Sequence, residues 1–173
     1  MKDKTGGQKI LIMDACVLID FLNSDRKVFR LISDHLGTLY VASPVLDEIK
    51  EIENEQELVE IGLKVVEPET GDAMAAGGNV GPLSFQDWIC LLTAKRNGFT
   101  CVTNDKKLMQ TCKKEGVDTI RGLALLAKLH EAGGITTDDV LLIGREIHRS
   151  NPKHISAVIL AKFEKIIEGQ TGG

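Results

Sequence analysis

Aromatic residues are scarce in this 173-residue chain: one Trp, one Tyr and five Phe make up 4% of it. A core must therefore be built mainly from Ile, Leu, Val and Ala. The apolar fraction of 43% is ordinary for a globular protein. No apolar run approaches a membrane span, and no charged-then-apolar leader is present. The expectation is a cytoplasmic protein without membrane contact. Cys16, Cys90, Cys101 and Cys112 show no C-x-x-C spacing, and His35, His130, His148 and His154 form no H-E-x-x-H. That speaks against a zinc site or a disulfide framework. Cys16, Cys90 and Cys101 lie in apolar runs and read as buried free thiols; the histidines read as surface or edge residues. There is no G-x-x-x-x-G-K-[ST], and no strand leads directly into Gly77-Gly78-x-x-Gly81. A phosphotransfer or dinucleotide-binding enzyme on a doubly wound sheet is disfavoured accordingly. Internal repeats and low-complexity stretches are missing too.

The formal net charge of −4 is unevenly spread. Residues 1–86 carry 8 Lys/Arg against 15 Asp/Glu, a balance of −7, and residues 87–173 carry 13 against 10, a balance of +3. A mildly basic half suits a phosphate backbone, but most of these charges describe a solvated surface.

The stretch from Lys9 to Leu22 organises the rest. Ile10 to Met13 is unbroken apolar sequence, as in a strand buried on both faces of a parallel sheet. Asp14 ends it, and Val17, Leu18, Phe21 and Leu22 follow at helical spacing. Asp14 thus stands at the carboxyl end of a central strand, where open α/β sheets place their ligands. A second helix is expected from Arg26 to His35 and a strand from Thr38 to Ala42. Ser43 as N-cap and Pro44 at the first helical position open the next helix, striped by Val45, Leu46, Ile49 and Ile52, with Glu51 to Glu57 as its acidic continuation.

Leu63 to Val66 reads as a strand, and residues 68–82 as mostly loop with a short helix at Ala73–Ala76. Ser84-x-x-Asp87 starts a helix that runs to Asn97 and stops at Gly98. Phe99–Thr103 is a strand, Lys106–Glu115 a helix and Val117–Ile120 a last short strand. Helices over Leu123–Ala132, Asp138–Arg149 and Pro152–Ile167, the last behind Asn151 as N-cap, close the chain. Residues 1–8 and 169–173 are expected to be loose tails. Strands alternating with helices predict a parallel sheet with right-handed crossovers. The whole reads as one domain, residues 1–173, with an α/β core over 9–120 and the helices of 123–167 packed on it.

Four acids fall where such a sheet gathers them: Asp14 after the first strand, Glu48 after the second, Asp87 in the first turn of its helix, and Asp105 in Thr103-Asn104-Asp105. Clustered carboxylates repel and so imply bound cations; oxygen ligands without His or Cys suit Mg²⁺ or Mn²⁺. Each acid also has a plain reading: Asp87 as a helix cap, Asp105 as a turn residue, Asp20 as a surface or supporting group. The helix from Phe85 is apolar almost all round, which predicts burial and aims Asp87 into an enclosed site. On the helical wheel Glu48 borders its apolar stripe whereas Asp47 lies opposite, so Glu48 is the site candidate.

Ile12-Met13-Asp14 with Val17-Leu18-Ile19, Ser43-Pro44-Val45-Leu46-Asp47-Glu48-Ile49, Leu83-Ser84-Phe85-Gln86-Asp87-Trp88 and Val102-Thr103-Asn104-Asp105 resemble the successive motifs of PIN-domain nucleases. The resemblance spans residues 9 to about 120. It implies a Rossmann-like three-layer α/β/α sandwich. It also implies Asp14, Glu48, Asp87 and Asp105 as catalytic metal ligands for Mg²⁺ or Mn²⁺, with Thr103 or Asn104 touching the phosphate of an RNA substrate. Many members are VapC-like toxins held by an antitoxin, and many form homodimers. Cys16 departs from the Ser, Thr or Asn often found there, and the helices after Leu123 lie outside the motifs. Two readings follow: a metal-dependent endoribonuclease, with a type II toxin as its narrower form, and a non-catalytic PIN-like RNA-binding or protein-assembly domain.

Overall fold

Five parallel strands form one sheet in the order β3-β2-β1-β4-β5. In this computed structural model, residues 9–172 are described; the tail expected at residues 1–8 lies outside them, as does Gly173. The strands are β1 (Lys9–Met13), β2 (Gly37–Ala42), β3 (Leu63–Val66), β4 (Thr100–Val102) and β5 (Thr119–Ile120). β1 is central, pairing with β2 from Lys9↔Gly37 to Ile12↔Tyr40 and with β4 from Leu11↔Thr100 to Met13↔Val102. Leu11, Ile12 and Met13 are all buried. That is the physical meaning of their unbroken apolar run: a parallel strand with helices over both faces has no solvent side.

The helices are α1 (Ala15–Ser24), α2 (Lys27–His35), α3 (Ser43–Leu46), α4 (Glu55–Ile61), α5 (Thr70–Gly78), α6 (Phe85–Asn97), α7 (Lys106–Lys114), α8 (Gly122–Glu131), α9 (Thr137–Ser150) and α10 (Ala157–Thr171). α6 lies against β1, β2 and β4, with α3, α5 and α7 beside it. α2 lies against β2 and β3 and adjoins α8; α9 packs on α1, and α10 on α8 and α9. The result is a three-layer α/β/α fold, as the alternation of elements predicts. Val140, Ile143, Phe163 and Ile167 belong to the same buried cluster as Leu11, Val17 and Phe21, so the closing helices share the core of the sheet. Among the described residues no helix is long and apolar enough to cross a membrane.

Four expectations are corrected. The helix at Ser43-Pro44 is a single turn, with Ala42 rather than Ser43 at its N-cap. Ser43 spends its hydroxyl on Glu67 instead, at 2.7 Å. The acidic stretch is not its continuation: Asn54 starts the separate helix α4, its side chain accepting from the Glu57 amide. Residues 70–78, read as mostly loop, form α5. Lastly, Asn151 does not cap the final helix; α10 begins six residues later behind Ser156 and runs through Thr171. The extra N-cap candidates misled the reading, because Ser and Asn serve turns and caps alike.

Candidate active site

Asp14 is the last residue to join the ladder of β1, donating its backbone N–H to the Val102 carbonyl of β4 at 3.0 Å. It is also the N-cap of α1: its Oδ1 accepts from the Ala15 N–H at 2.8 Å. Its Oδ2 accepts from the Thr103 hydroxyl at 2.8 Å. Thr103 follows β4 and is wholly buried, and its Oγ1 accepts in turn from the Asp105 N–H at 3.1 Å. The chain leaves β1 toward β2 and β3 on one side and returns to β4 on the other. Asp14 and Thr103-Asn104-Asp105 therefore flank the point where strand order reverses, the usual ligand crevice of an open parallel sheet.

Asp105 and Asp87 come to this crevice at helix starts. Asp105 is the N-cap of α7, its Oδ1 accepting from the Leu108 N–H at 3.0 Å. Asp87 closes a capping box with Ser84 at the start of α6, its Oδ2 accepting from the Ser84 N–H at 3.0 Å. The cap reading of Asp87 is thus correct, and its side chain is half-buried rather than enclosed, with Phe85 exposed beside it. Each acid still keeps one carboxylate oxygen without a partner among the described residues. Asn104 Oδ1 accepts from the Gly122 N–H at 3.1 Å, tying the turn to the start of α8, and its NH₂ has no partner among the described residues.

Asp14 is 3% exposed, and burial pushes its carboxyl up to about 6, against the pull of the Thr103 hydroxyl. The charges of Asp87 and Asp105 push the same way, while the Ala15 N–H opposes them. Among the described residues, the charges that weigh on it are those two acids. A buried carboxylate that meets only negative charge is stabilised by a proton or by a bound cation.

The structure brings together Asp14, Asp87, Asp105, Thr103 and Asn104. Glu48 follows α3, which ends at Leu46, so no helix is present there to separate Glu48 from Asp47, and both are exposed. The Thr103 hydroxyl is buried and engaged with both Asp14 and the Asp105 N–H. Cys16, read as buried, is exposed at the crevice. Partial desolvation, then the charges of Asp14, Asp20, Asp105 and Asp87, push its thiol up to about 11, so at neutral pH it is an un-ionised thiol and a poor nucleophile.

One part of the site was not foreseen. Asp20 is 6% exposed and accepts from the Asn151 side-chain NH₂ at 3.2 Å. Asn151 Oδ1 in turn pairs with His154 Nδ1 at 3.0 Å. Burial raises the Asp20 carboxyl, and the Asn151 hydrogen bond and His154 hold it back. The sequence carried a signal for it: Asp20 lies within Val17-Leu18-Ile19-Asp20-Phe21-Leu22, apolar on both sides. Asp20, Asn151, His154, Ile19, Asn104 and Asp105 line a cavity of about 250 Å³. A larger cavity of about 690 Å³ opens at the opposite edge, beside the strand starts Lys9, Thr100 and Thr119, and none of the crevice acids lines it.

Among the described residues no three His, Cys, Asp or Glu side chains are grouped closely enough to coordinate one ion directly. The donor set is nevertheless all oxygen, and Asp87 and Asp105 each have an oxygen to offer. It fits a hard, strongly hydrated cation touched by one or two carboxylates and otherwise by water, rather than an all-protein cage.

No protein-family model and no curated protein matches the chain. Among solved structures it is similar to a PilT N-terminus domain protein from the hyperthermophilic archaeon Sulfolobus solfataricus P2, at 15% identity and a TM-score of 0.48, over 69% of this chain and 92% of that one.

Proposed function

We propose that the chain is a PIN-like, metal-dependent endoribonuclease acting at the Asp14 crevice. The observation that carries this reading is the buried Asp14 at the strand-order reversal, with Asp87 and Asp105 brought to the same crevice at the starts of their helices. Thr103 holds the Asp14 carboxylate in one orientation at the crevice. The Asn104 NH₂ offers a donor to a phosphate oxygen. Asp14, Asp87 and Asp105 would hold Mg²⁺ or Mn²⁺. Glu48, which follows β2 beside β1, is the fourth acid proposed for this edge. When bound, the cation offsets charge on the phosphate and makes a metal-bound water more acidic. A narrower form of the reading makes the chain a homodimeric toxin restrained by an antitoxin.

The test is cleavage of a single-stranded RNA in Mn²⁺ by wild type, Asp14→Asn and Asp105→Asn, alongside thermal unfolding with and without Mn²⁺. Cleavage and a Mn²⁺-dependent rise in stability, both lost in the variants, are expected, since a ligand that binds only the folded state stabilises it. Folded wild type that neither cleaves nor responds to Mn²⁺ rejects the reading. It would favour the alternative, a non-catalytic RNA-binding or assembly domain. One observation already leans that way: Asp14, Asp87 and Asp105 each give a carboxylate oxygen to a helix cap.

A further inference from the structure

The cavity beside Asp105 is walled by parts of the chain that lie far apart in sequence. α1 supplies Ile19 and Asp20, the turn after β4 supplies Asn104 and Asp105, and the connection between α9 and α10 supplies Asn151 and His154. The last group belongs to the helices beyond the motif-bearing core. Its placement is fixed by a chain of hydrogen bonds: buried Asp20 accepts from Asn151, and Asn151 pairs with the His154 ring. Nothing in the proposed cleavage uses Asp20, Asn151 or His154. A buried carboxylate kept in order to hold an imidazole at a cavity wall is a costly arrangement for mere packing.

We infer that this cavity receives one unstacked nucleobase of the RNA strand next to the cleavage point, with His154 as its stacking surface. Two carboxylates in the wall disfavour a phosphate group, which would meet like charge. A base is neutral, flat and rich in donors and acceptors. Ile19 gives it an apolar contact and the His154 ring an aromatic one. Single strands are commonly recognised in this way, by stacking splayed bases on aromatic rings and bonding their edges. At about 250 Å³ the cavity falls below the size that encloses a drug-sized ligand, and suits one ring system. Because Asn151 and Asp20 hold the His154 ring in advance, little side-chain freedom is lost when the base arrives. The inference rests on the RNA-cleaving reading for the nature of the strand, but not for the binding itself.

The test is fluorescence anisotropy in EDTA, where metal-dependent cleavage is silent. The probes are a labelled hexamer of oligoadenylate and a hexamer of the same phosphate count whose sugars carry no bases. Wild type should bind the oligoadenylate about tenfold more tightly, within the range that stacking on an aromatic residue contributes per base. His154→Ala should reduce the difference to within about twofold, and His154→Phe, which keeps a flat ring without ring nitrogens, should restore most of it. Thermal unfolding checks that both variants are folded. Equal binding of the two hexamers by wild type overturns the proposal in favour of a backbone reader. A folded His154→Ala that binds as wild type does overturns it as well, and so does a folded His154→Phe that fails to rescue. Wild type that binds as expected but never cleaves in Mn²⁺ refutes the nuclease reading and leaves the base site standing.

Discussion

Asp14→Asn should reverse a pH dependence that the fold imposes on itself. In the wild type the carboxyl is raised from an ordinary 3.8 to about 6, a difference equivalent to about 3 kcal/mol. The sign follows from which state holds the proton. Between pH 4 and 6 the folded protein keeps a proton on Asp14 that the unfolded chain has released, so stability falls as pH rises through this window. Below it the penalty is absent; above it the penalty is complete. Asparagine cannot ionise and is spared the penalty. However, its NH₂ replaces an oxygen that accepts from Ala15 or Thr103, and a buried group left unpaired costs about 1–3 kcal/mol. The variant should therefore be the less stable protein at pH 4 and the equal or more stable one at pH 7. The informative quantity is the change in the difference between the two proteins, about 3 kcal/mol across the window. Urea unfolding of both at half-unit steps from pH 4 to 7.5, in EDTA, measures it. A difference that stays flat would refute the argument, because it would mean Asp14 is no harder to ionise in the fold than in the open chain.

Glu48→Gln should cost far more Mn²⁺-dependent cleavage than Asp47→Asn; equal losses would show that general acidity, not a fourth site acid, is at work. Thr93 is 2% exposed and its hydroxyl has no partner among the described residues, so Thr93→Val should raise stability by about 1 kcal/mol, read as a higher urea midpoint. Gly144→Ala would set a Cβ 2.4 Å from Phe163 Cε1 where α9 meets α10, and should destabilise by about 1–3 kcal/mol. Combined with Phe163→Leu, it should cost less than the two changes added separately, as expected of residues sharing one contact.

Where the sequence was easy to read, one physical signal acted alone. The buried run Ile10–Met13, the capping box at Ser84, and Gly98 in the left-handed conformation beyond α6 each have a local cause, and each element is found where expected. The positions of Asp14, Thr103, Asn104 and Asp105 were legible for the same reason, since each follows the carboxyl end of a parallel strand. The reading failed where two local rules competed. Ser43-Pro44 does start a helix, but one of a single turn with Ser43 bonded to Glu67, and Asn151-Pro152 starts none, Asn151 being bonded to Asp20. Neither partner is near in sequence, so no local pattern could reveal them. Glu48 was argued from a helix that stops two residues before it. Asp20, His154 and their cavity could not be assembled without knowing that α9 packs on α1.

The hydrogen bond from Thr103 to Asp14 joins residues 89 positions apart, and that from Asn151 to Asp20 residues 131 apart. On a chain emerging from the ribosome, β1, β2 and β3 come out long before β4, so the middle strand of the finished sheet waits with one side unpaired. Such long-range pairing is slow to form and exposes apolar edges in the meantime. It also times the appearance of the crevice. Asp14 is not enclosed until β4 has docked and Thr103 has arrived, and Asp20 has no Asn151 until translation has passed the end of α9. A growing chain therefore carries its acids as separate, solvated charges. The Asp14 crevice closes midway through synthesis, and the Asp20 cavity is among the last features to form.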